Sequence, residues 1–365
     1  MTLLTLILLA TPAPCLAMRP EPCLSACEKG DGSRCLELQV LVEDGVLPAP
    51  HHPRLFSAVH ALCELRKKEH CFAEAMLHLG GVGTPKDAAK AAALFSDGCD
   101  ADHPLSCSNL AVRYARGDGV KKDEVTARRL MLHACEREPR ACLNASWALG
   151  AGIGGPPDQK AALELLEKTC LTWAGACARL ANDLMADVWV KPNPTRALEL
   201  AHDGCERSDG PSCEVLGKLR MGAIRGQEQP RAAQVAFEKA CELGQPLSCF
   251  NLSVMYAKGS AGAPNPVRGS ELAMLACDLG NLFGCHNRAL QQLEGRGTKK
   301  DVKAGLALLG RACDAGGLIS CVSLGEFVAR RLSGKPDLER ARALFQKACA
   351  GGLDAGCMAE RRLDR

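Results

Sequence analysis

Cysteines recur along this 365-residue chain in closely spaced pairs. The stretch CDADHPLSC, from Cys99 to Cys107, encloses a short polar loop between two cysteines. The first cysteines of successive pairs are 35 or 36 residues apart, and a period of about 20 to 50 residues is typical of tandem-repeat proteins. Twenty of the 22 cysteines form ten such pairs: Cys27/Cys35, Cys63/Cys71, Cys99/Cys107, Cys135/Cys142, Cys170/Cys177, Cys205/Cys213, Cys241/Cys249, Cys277/Cys285, Cys313/Cys321 and Cys349/Cys357.

Each repeat divides into two halves separated by glycine. In the unit that starts at Cys107, the run CSNLAVRYAR ends at GDG, and glycine readily adopts the positive φ that ends a helix. A short acceptor side chain twelve residues before a first cysteine predicts the N-cap of a second helix. Proline can follow a cap directly, because an N–H there would have no partner. The predicted caps are Asp87, Asp123, Asp158, Asn193, Asn265, Asp301 and Asp337, and the predicted first-turn prolines are Pro194, Pro230 and Pro266.

Apolar residues after each predicted cap are spaced three and four positions apart, which places them on one face of a helix. No run of alternating apolar and polar residues favours strands. We therefore predict an all-α fold, an α/α superhelical solenoid of antiparallel helix pairs. The spacing is shown by Ala91, Leu94, Phe95 and Gly98 in one unit and by Ala341, Leu344, Phe345 and Ala348 in another.

The cysteine pairs are predicted to be disulfides that join successive units. The first cysteine ends the second helix of one unit, and its partner begins the first helix of the next, within reach of a disulfide. Zinc is the alternative, but zinc sites usually show closer C-x2-C pairs, and the nine histidines hold no register with the repeat. We predict no metal site and no cofactor. Since only 4% of the residues are aromatic, the core is expected to be thin and to need these covalent links.

The N-terminus predicts export. MTLLTLILLA is an apolar run of secretory length, and Ala17 is a small residue for cleavage before Met18. The run lacks a basic residue at its start, and Pro14 argues against a lipoprotein anchored at Cys15. Disulfides persist outside the reducing cytosol, and no other segment reaches the roughly 18 apolar residues of a membrane span. We predict a periplasmic or secreted protein that is not inserted in a membrane.

Cys23 is predicted to be unpaired in the mature chain. It lies four residues before Cys27, a position that Phe95, Leu166 and Phe345 hold in other units. A buried small apolar role is therefore favoured, and a reactive thiol is the alternative.

The motifs carry a family resemblance. An apolar helix, then RGDGVKKD, then A-x-x-L-x-x-x-A-C resembles the Sel1-like repeat, a relative of the tetratricopeptide repeat, and the cysteine spacing resembles the secreted Helicobacter cysteine-rich proteins. The resemblance divides the chain into a signal peptide at 1–17, a half-repeat cap at 18–34, nine repeats at 35–357 and a tail at 358–365. It implies a scaffold that binds a protein or peptide on its concave face. Penicillin binding with weak β-lactamase activity is assigned to members of the cysteine-rich branch and is the alternative function.

Asparagines recur at one position of the first helices, two residues after the helix-opening cysteine. An amide can donate to and accept from a peptide backbone, so a row of amides suits an extended peptide. The alternative is that these amides stabilise the helix start locally. The asparagines are Asn109, Asn144, Asn251 and Asn287. Tyr114 and Tyr256, five positions later, are further candidates for the peptide site and are interpreted as packing residues with an exposed hydroxyl.

Catalytic motifs are missing from the sequence. A serine β-lactamase needs a lysine one turn after its nucleophile, as in S-x-x-K, and no lysine has a serine three residues before it. Neither K-T-G nor H-E-x-x-H is present. A hydrolase would need a site assembled across units. A redox or metal carrier is a third possibility, which the apolar leader disfavours.

The repeat is irregular where the Cys135/Cys142 and Cys170/Cys177 loops are one residue shorter. All three tryptophans, Trp147, Trp173 and Trp189, lie there and are either a ligand-binding aromatic patch or packing residues that fill gaps left by the shorter loops. The balance of 45 basic and 42 acidic residues gives no signal for nucleic acid. We expect a monomer.

Overall fold

The computed structural model describes residues 21–43, 47, 49–65, 71–186, 190–223, 228–330 and 336–363. These residues form twenty α-helices and no strand. Helices α1 to α20 are Glu21–Glu28, Gly32–Glu43, His52–Leu65, Cys71–Gly80, Ala88–Asp100, Pro104–Arg116, Glu124–Cys135, Cys142–Ala151, Gln159–Thr172, Gly175–Ala186, Pro194–Glu206, Gly210–Lys218, Pro230–Glu242, Pro246–Lys258, Pro266–Asp278, Leu282–Glu294, Val302–Asp314, Leu318–Ala329, Leu338–Ala350 and Asp354–Leu363. Short 3-10 turns occur at Ala49–His51 and Pro139–Ala141, and a π-helical turn occurs at Leu219–Ala223.

The helices stack in chain order. From α2 onward, each helix packs against the next, and several even-numbered helices also contact the following even-numbered helix, as α10, α12, α14 and α16 do in succession. Contacts confined to near neighbours are the mark of a quasi-one-dimensional repeat array. The predicted all-α solenoid is confirmed, with even-numbered helices as the first and odd-numbered helices as the second of each pair.

The predicted helix starts are confirmed. All seven predicted cap residues occupy the N-cap position, and each side chain accepts a hydrogen bond from the backbone N–H three residues later. At Asp87 this bond comes from the N–H of Lys90 at 2.8 Å. Pro194, Pro230 and Pro266 are the first residues of their helices. A cap of this kind stabilises a helix by about 1 kcal/mol, which helps to fix where each odd-numbered helix begins.

Glycine is required where one unit meets the unit before it. Gly119, between α6 and α7, has a φ of +76°, and a Cβ there would overlap the carbonyl oxygen of Ala88 at the start of α5. A Cβ at Gly297 would likewise overlap the carbonyl oxygen of Pro266 at the start of α15. The missing side chain therefore lets the turn of one unit dock on the second helix of its predecessor.

The core is a chain of small clusters. In α5, Ala91, Phe95 and Gly98 are buried while Leu94 is half-buried, as the helical spacing predicts. The equivalent residues of α19 repeat the pattern, with Ala341, Phe345 and Ala348 buried and Leu344 half-buried. Alanine, leucine and cysteine supply most of the buried apolar side chains.

Ten disulfides join the units. All ten predicted pairs are present, with Cα atoms between 4.4 and 4.9 Å apart. The second cysteine of each pair is buried in nine cases, and is fully buried at Cys177, Cys213, Cys249, Cys285 and Cys321. Each disulfide thus links the end of an odd-numbered helix to the first turn of the next even-numbered helix.

The disulfide of Cys35 to Cys27 is confirmed, and the predicted unit boundary between residues 34 and 35 stays a prediction. A boundary between residues 34 and 35 falls inside α2, which begins at Gly32. The helix starts earlier because the Asp31 carboxylate accepts hydrogen bonds from the backbone N–H groups of Ser33 and Arg34. Cys35 therefore lies in the first turn of α2 and does not open it.

The disulfide of Cys357 to Cys349 is likewise confirmed, and the predicted boundary between residues 357 and 358 stays a prediction. The turn before α20 is short, with a φ of +89° at Gly352, so the helix already begins at Asp354. Cys357 lies in the first turn of that helix. The predicted tail at 358–365 is its continuation, helical as far as Leu363, because Ala359 is buried in the last core cluster.

The prediction that Cys23 is unpaired is wrong. Cys23 is disulfide-bonded and not unpaired. Cys15, eight positions earlier, has the same spacing as the longer pairs but lies outside the described residues, as does the predicted signal peptide at 1–17. None of the described helices has the length and apolar character to cross a bilayer.

Candidate binding groove

The four asparagines divide into two pairs. The Asn109 amide donates to the Leu105 carbonyl of its own helix at 2.9 Å. The Asn144 amide donates to the Ser108 hydroxyl of α6 at 2.8 Å and so links two units. Both side chains are half-buried and stabilise the array itself, Asn109 in the local role that the sequence left open and Asn144 across two units.

Asn251 and Asn287 differ from that first pair. They hold the same position in α14 and α16, they are half-buried, and neither side chain makes a hydrogen bond within the part of the chain that the structure describes. Asn251 lines a cavity of about 550 Å³, and Asn287 lines a neighbouring cavity of about 300 Å³. Their amides are therefore available to a ligand.

The two cavities form one groove, because Val254 and Lys258 line both. The groove runs from the π-helical turn after α12, across α14, to α16. We name it the α14 groove, defined by Met221, Phe250, Asn251, Val254, Lys258, Asn287 and Leu290.

The π-helical turn shapes one end of the groove. Gly222 has a φ of +135°, so the helical path breaks there and Met221 is left 38% exposed. Phe250 on α14 is half-buried, and Phe237 beneath it is 2% exposed. This end of the α14 groove is therefore an apolar cavity open to solvent, lined by flexible methionine and rigid aromatic side chains.

The charged side chains that line the groove are basic. Lys218, Lys258 and Arg296 line the two cavities, and no acidic side chain of the described residues does. Lys218 is paired with Glu214 at 2.6 Å, and Arg296 is paired with Glu294. No ion pair of Lys258 is found within the described ranges. The one basic side chain shared by both cavities is thus available for an anionic group.

Both tyrosines pack against core clusters, and their role as peptide-binding candidates stays a prediction. Tyr256 packs against the cluster around α13 to α15 and donates its hydroxyl to Glu238 at 2.8 Å. That hydrogen bond, with burial, raises the pKa of Tyr256. Tyr114 is half-buried between α6 and its neighbours. The Tyr256 hydroxyl is engaged inside the protein, so it is not a free ligand contact.

The tryptophans do not share one packing site. Trp147 packs against the cluster that contains Met131, and Trp173 packs against another that contains Leu180. Trp189 lies outside the described residues. The packing alternative therefore fits the two tryptophans that the structure describes.

A row of buried serines was missed by sequence reasoning. A serine precedes the second cysteine of the pair in four units, and all four have 0% exposure. Ser248 donates to Glu214 of the preceding even-numbered helix at 3.2 Å, and Ser320 contacts His286 Nδ1 at 3.3 Å. The repeated Ser-Cys dipeptide was the available signal. The four residues are Ser106, Ser212, Ser248 and Ser320.

A buried carboxylate also escaped prediction. Glu74 in α4 is 2% exposed and lies 3.0 Å from His60 Nδ1, 3.5 Å from His78 Nε2 and 3.8 Å from Lys90 Nζ. These partners come from α3, α4 and α5, so the cluster links three consecutive helices. It lies in the N-terminal units, away from the α14 groove.

One group of potential metal ligands occurs in the described residues: Cys170, Cys177 and Asp203. The two sulfurs are bonded to each other, so they are not thiolate ligands. Arg207 donates to Asp203 and to the Cys170 carbonyl and supplies positive charge at the same point. These residues therefore form a structural corner between α9 and α11.

His286 predicts an acid sensitivity. Its ring is 7% exposed, and burial holds its pKa below the ordinary value of about 6.5. As the pH falls below about 6.5, His286 becomes protonated in the unfolded chain but stays neutral in the folded protein. The free energy of unfolding should then fall by up to about 1.4 kcal/mol per pH unit, until the folded pKa is reached.

Urea unfolding of the wild type and of His286→Gln between pH 7.5 and 5 checks this prediction. The variant should show a shallower loss of stability on acidification. The matched control is His202→Gln, since His202 is exposed on α11, and its profile should follow the wild type. Parallel profiles for the wild type and His286→Gln would contradict the prediction.

Together these features define a class of protein: a disulfide-stapled α-solenoid with an open groove on its even-numbered helices. The Sel1 repeat family model matches residues 72–103, 104–138, 139–171, 174–209, 246–281, 283–317 and 320–353, which is more than half of the chain. The chain belongs to the Sel1 repeat family.

The sequence predicts repeats from residue 35 to residue 357, and the segments that the family model matches cover less than that range. The first begins at residue 72, after Cys71, and the last ends at residue 353, before α20 begins. The unmatched segments before residue 72 and at 210–245 also contain helix pairs, and the total of nine repeats stays a prediction.

Solved structures agree on the fold. A Sel1 repeat protein from Oxalobacter formigenes superimposes with a TM-score of 0.59 at 17% identity, covering 84% of this chain and 90% of that one. A protective antigen of uropathogenic Escherichia coli with the same repeat fold gives a TM-score of 0.54 at 21% identity, covering 92% of this chain and 72% of that one. A comparison with curated proteins found no match. The finer likeness to the Helicobacter cysteine-rich proteins stays a prediction.

Proposed function

We propose that this protein is an exported scaffold that binds an extended peptide segment of another protein in the α14 groove. The observation that carries the proposal is the pair of unbonded amides, Asn251 and Asn287, at equivalent positions of two adjacent first helices. Sel1 repeats generally mediate protein interactions, and ten disulfides indicate an oxidising compartment. The apolar leader and the disulfides support export.

The spacing of the amides suits a peptide backbone. Packed helices lie about 8 to 10 Å apart, and an extended chain advances about 3.3 Å per residue. The two amides would therefore bind backbone groups about three residues apart. Each amide can donate to a carbonyl and accept from an N–H, which gives affinity without demanding particular side chains.

The proposal includes no catalysis by the groove. Ser253 lines it but donates its hydroxyl to the Phe250 carbonyl at 2.7 Å. That hydroxyl is bonded within its own helix, so nothing in its geometry favours a nucleophile. Nitrocefin hydrolysis by the repurified protein, abolished by a groove substitution, would overturn this part of the proposal.

Loss of both groove amides should weaken peptide binding. We expect Asn251→Ala/Asn287→Ala to lower affinity about tenfold or more, because each lost hydrogen bond contributes about 0.5 to 1.5 kcal/mol. The probe is a set of random 12-residue peptides, displayed on phage and selected on the oxidised full chain. Titration calorimetry on the selected peptides measures the affinity.

Asn109→Ala/Asn144→Ala is the matched control. Those amides are bonded within the protein, so the control should keep its affinity while losing about 1 kcal/mol of stability per site. Equal affinity losses in the two double variants, or no loss in either, would refute the assignment of the groove. Failure to select any peptide would refute peptide binding itself.

A further inference from the structure

We infer that the bound peptide carries an acidic side chain that pairs with Lys258, next to an apolar side chain that enters the cavity between Met221 and Phe250. This inference rests on the proposed function and specifies its partner. It follows from the position of Lys258, from the sign of the charge on the two faces of the array, and from the apolar cavity beside Lys258.

Lys258 is placed to select an anion. It is the last residue of α14 and is exposed, and it lines both cavities of the groove. A cation at a helix C-terminus is favoured by the helix dipole, which explains why lysine is tolerated there. The dipole does not supply a counter-ion, and none is found for Lys258 within the described residues. A ligand carboxylate between the two cavities would fill that role.

The opposite face provides a contrast. A cavity of about 650 Å³ between the odd-numbered helices α9 and α11 is lined by Glu164, Glu167, Glu199 and Asp203, with Lys168 and Arg196 as its basic residues. Among the described residues, the two cavities of the α14 groove are lined by three basic side chains and no acidic one, and Lys258 is the basic side chain without an ion pair. Charge is therefore segregated between these two surfaces although the whole chain carries a net charge of only +3. An acidic segment is steered to the α14 groove and repelled from the α9/α11 cavity.

The apolar end of the groove favours a peptide over another polyanion. Met221, Phe250 and Val254 offer a cavity that fits apolar side chains, which a phosphate backbone does not have. Tight nucleic-acid binding rests on several phosphate contacts, whereas the described residues of the groove include one cation without an ion pair, Lys258. A peptide with an acidic residue next to a large apolar residue would pair with Lys258 and fill the apolar cavity at the same time.

Matched peptide triplets test this inference. Each 12-residue peptide selected on the wild type is synthesised again with every Asp and Glu changed to Asn and Gln, or to Lys. The acidic form should bind at least tenfold more tightly than the amide form at low salt, and the difference should shrink as salt screens the pair. Lys258→Met should abolish this preference, Lys258→Arg should keep it, and Lys258→Glu should reverse it toward the lysine form.

Lys303→Met is the matched control, because Lys303 is exposed on the odd-numbered helix α17. It should bind all three forms as the wild type does, and thermal melts establish that each variant is folded. Binding that needs Asn251 and Asn287 but ignores peptide charge would overturn the inference and leave the proposed function intact. Tighter Lys258-dependent binding of a 20-nucleotide single-stranded RNA or of heparin would overturn the assignment of a peptide.

Discussion

A reductant should lower the urea midpoint of this protein more than any single substitution. Each disulfide closes a loop of eight or nine residues, and the restricted unfolded chain then contributes about 2.5 kcal/mol of stability per bond. The net stability of a domain is commonly about 5 to 15 kcal/mol, so losing several bonds removes a comparable amount. Circular dichroism in urea, with and without dithiothreitol, measures the shift.

Variants that remove one disulfide show where the stabilisation acts. Cys241→Ala/Cys249→Ala breaks the link between α13 and α14 in the middle of the array, and should split unfolding into two transitions. Cys349→Ala/Cys357→Ala breaks the link to the last helix alone, and should loosen only α20. Since a repeat array is held by nearest-neighbour contacts, the internal loss costs more. Equal midpoints with and without reductant would contradict the role of the disulfides.

The sequence predicts the fold well because the deciding interactions are local. An N-cap needs an acceptor side chain and an N–H three residues later, so Asp87 or Asp301 can be recognised without knowing what lies across the helix. A disulfide across eight residues is local in the same sense. The period of the cysteines then fixes the order in which helices pack. It does not fix where a helix begins, and Cys35 and Cys357 each lie in the first turn of a helix that begins three residues earlier.

The binding groove could be predicted only in part, since its decisive contacts join different units. Asn144 and Asn287 occupy the same position, yet Asn144 is bonded to Ser108 of the preceding even-numbered helix and the Asn287 side chain makes no hydrogen bond in the described chain. The sequence shows four equivalent asparagines and cannot separate them. The π-helical turn at Leu219–Ala223 is also absent from the repeat pattern.

The irregular region around the tryptophans was a candidate ligand site, but the α14 groove lies elsewhere. The shorter Cys135/Cys142 loop is accommodated by the 3-10 turn Pro139–Ala141, and Trp147 and Trp173 pack into neighbouring clusters. The groove forms instead beside a unit whose glycine breaker is replaced by the π-helical turn before Pro230. A defect in helix termination, rather than a surplus of aromatic residues, therefore creates the concavity.

Gly119→Ala should destabilise the array by about 3 kcal/mol. The left-handed conformation at φ +76° costs a residue with a Cβ about 1 to 2 kcal/mol. The added methyl group also overlaps the Ala88 carbonyl, so the turn must move away from α5, and such overpacking costs about 1 to 3 kcal/mol. Urea unfolding gives the total loss, and hydrogen exchange of the α5 amides reports whether the units separate.

Gly244→Ala isolates the conformational contribution. Gly244, between α13 and α14, has a φ of +81°, but a Cβ there would meet no atom within 4 Å. The control should therefore lose only the conformational part, about 1 to 2 kcal/mol, with unchanged exchange in the neighbouring helices. A larger loss at Gly119 together with faster exchange in α5 would establish that glycine is needed there for docking between units. Equal losses at both sites would mean that backbone conformation alone requires it, and the account of unit docking would fail.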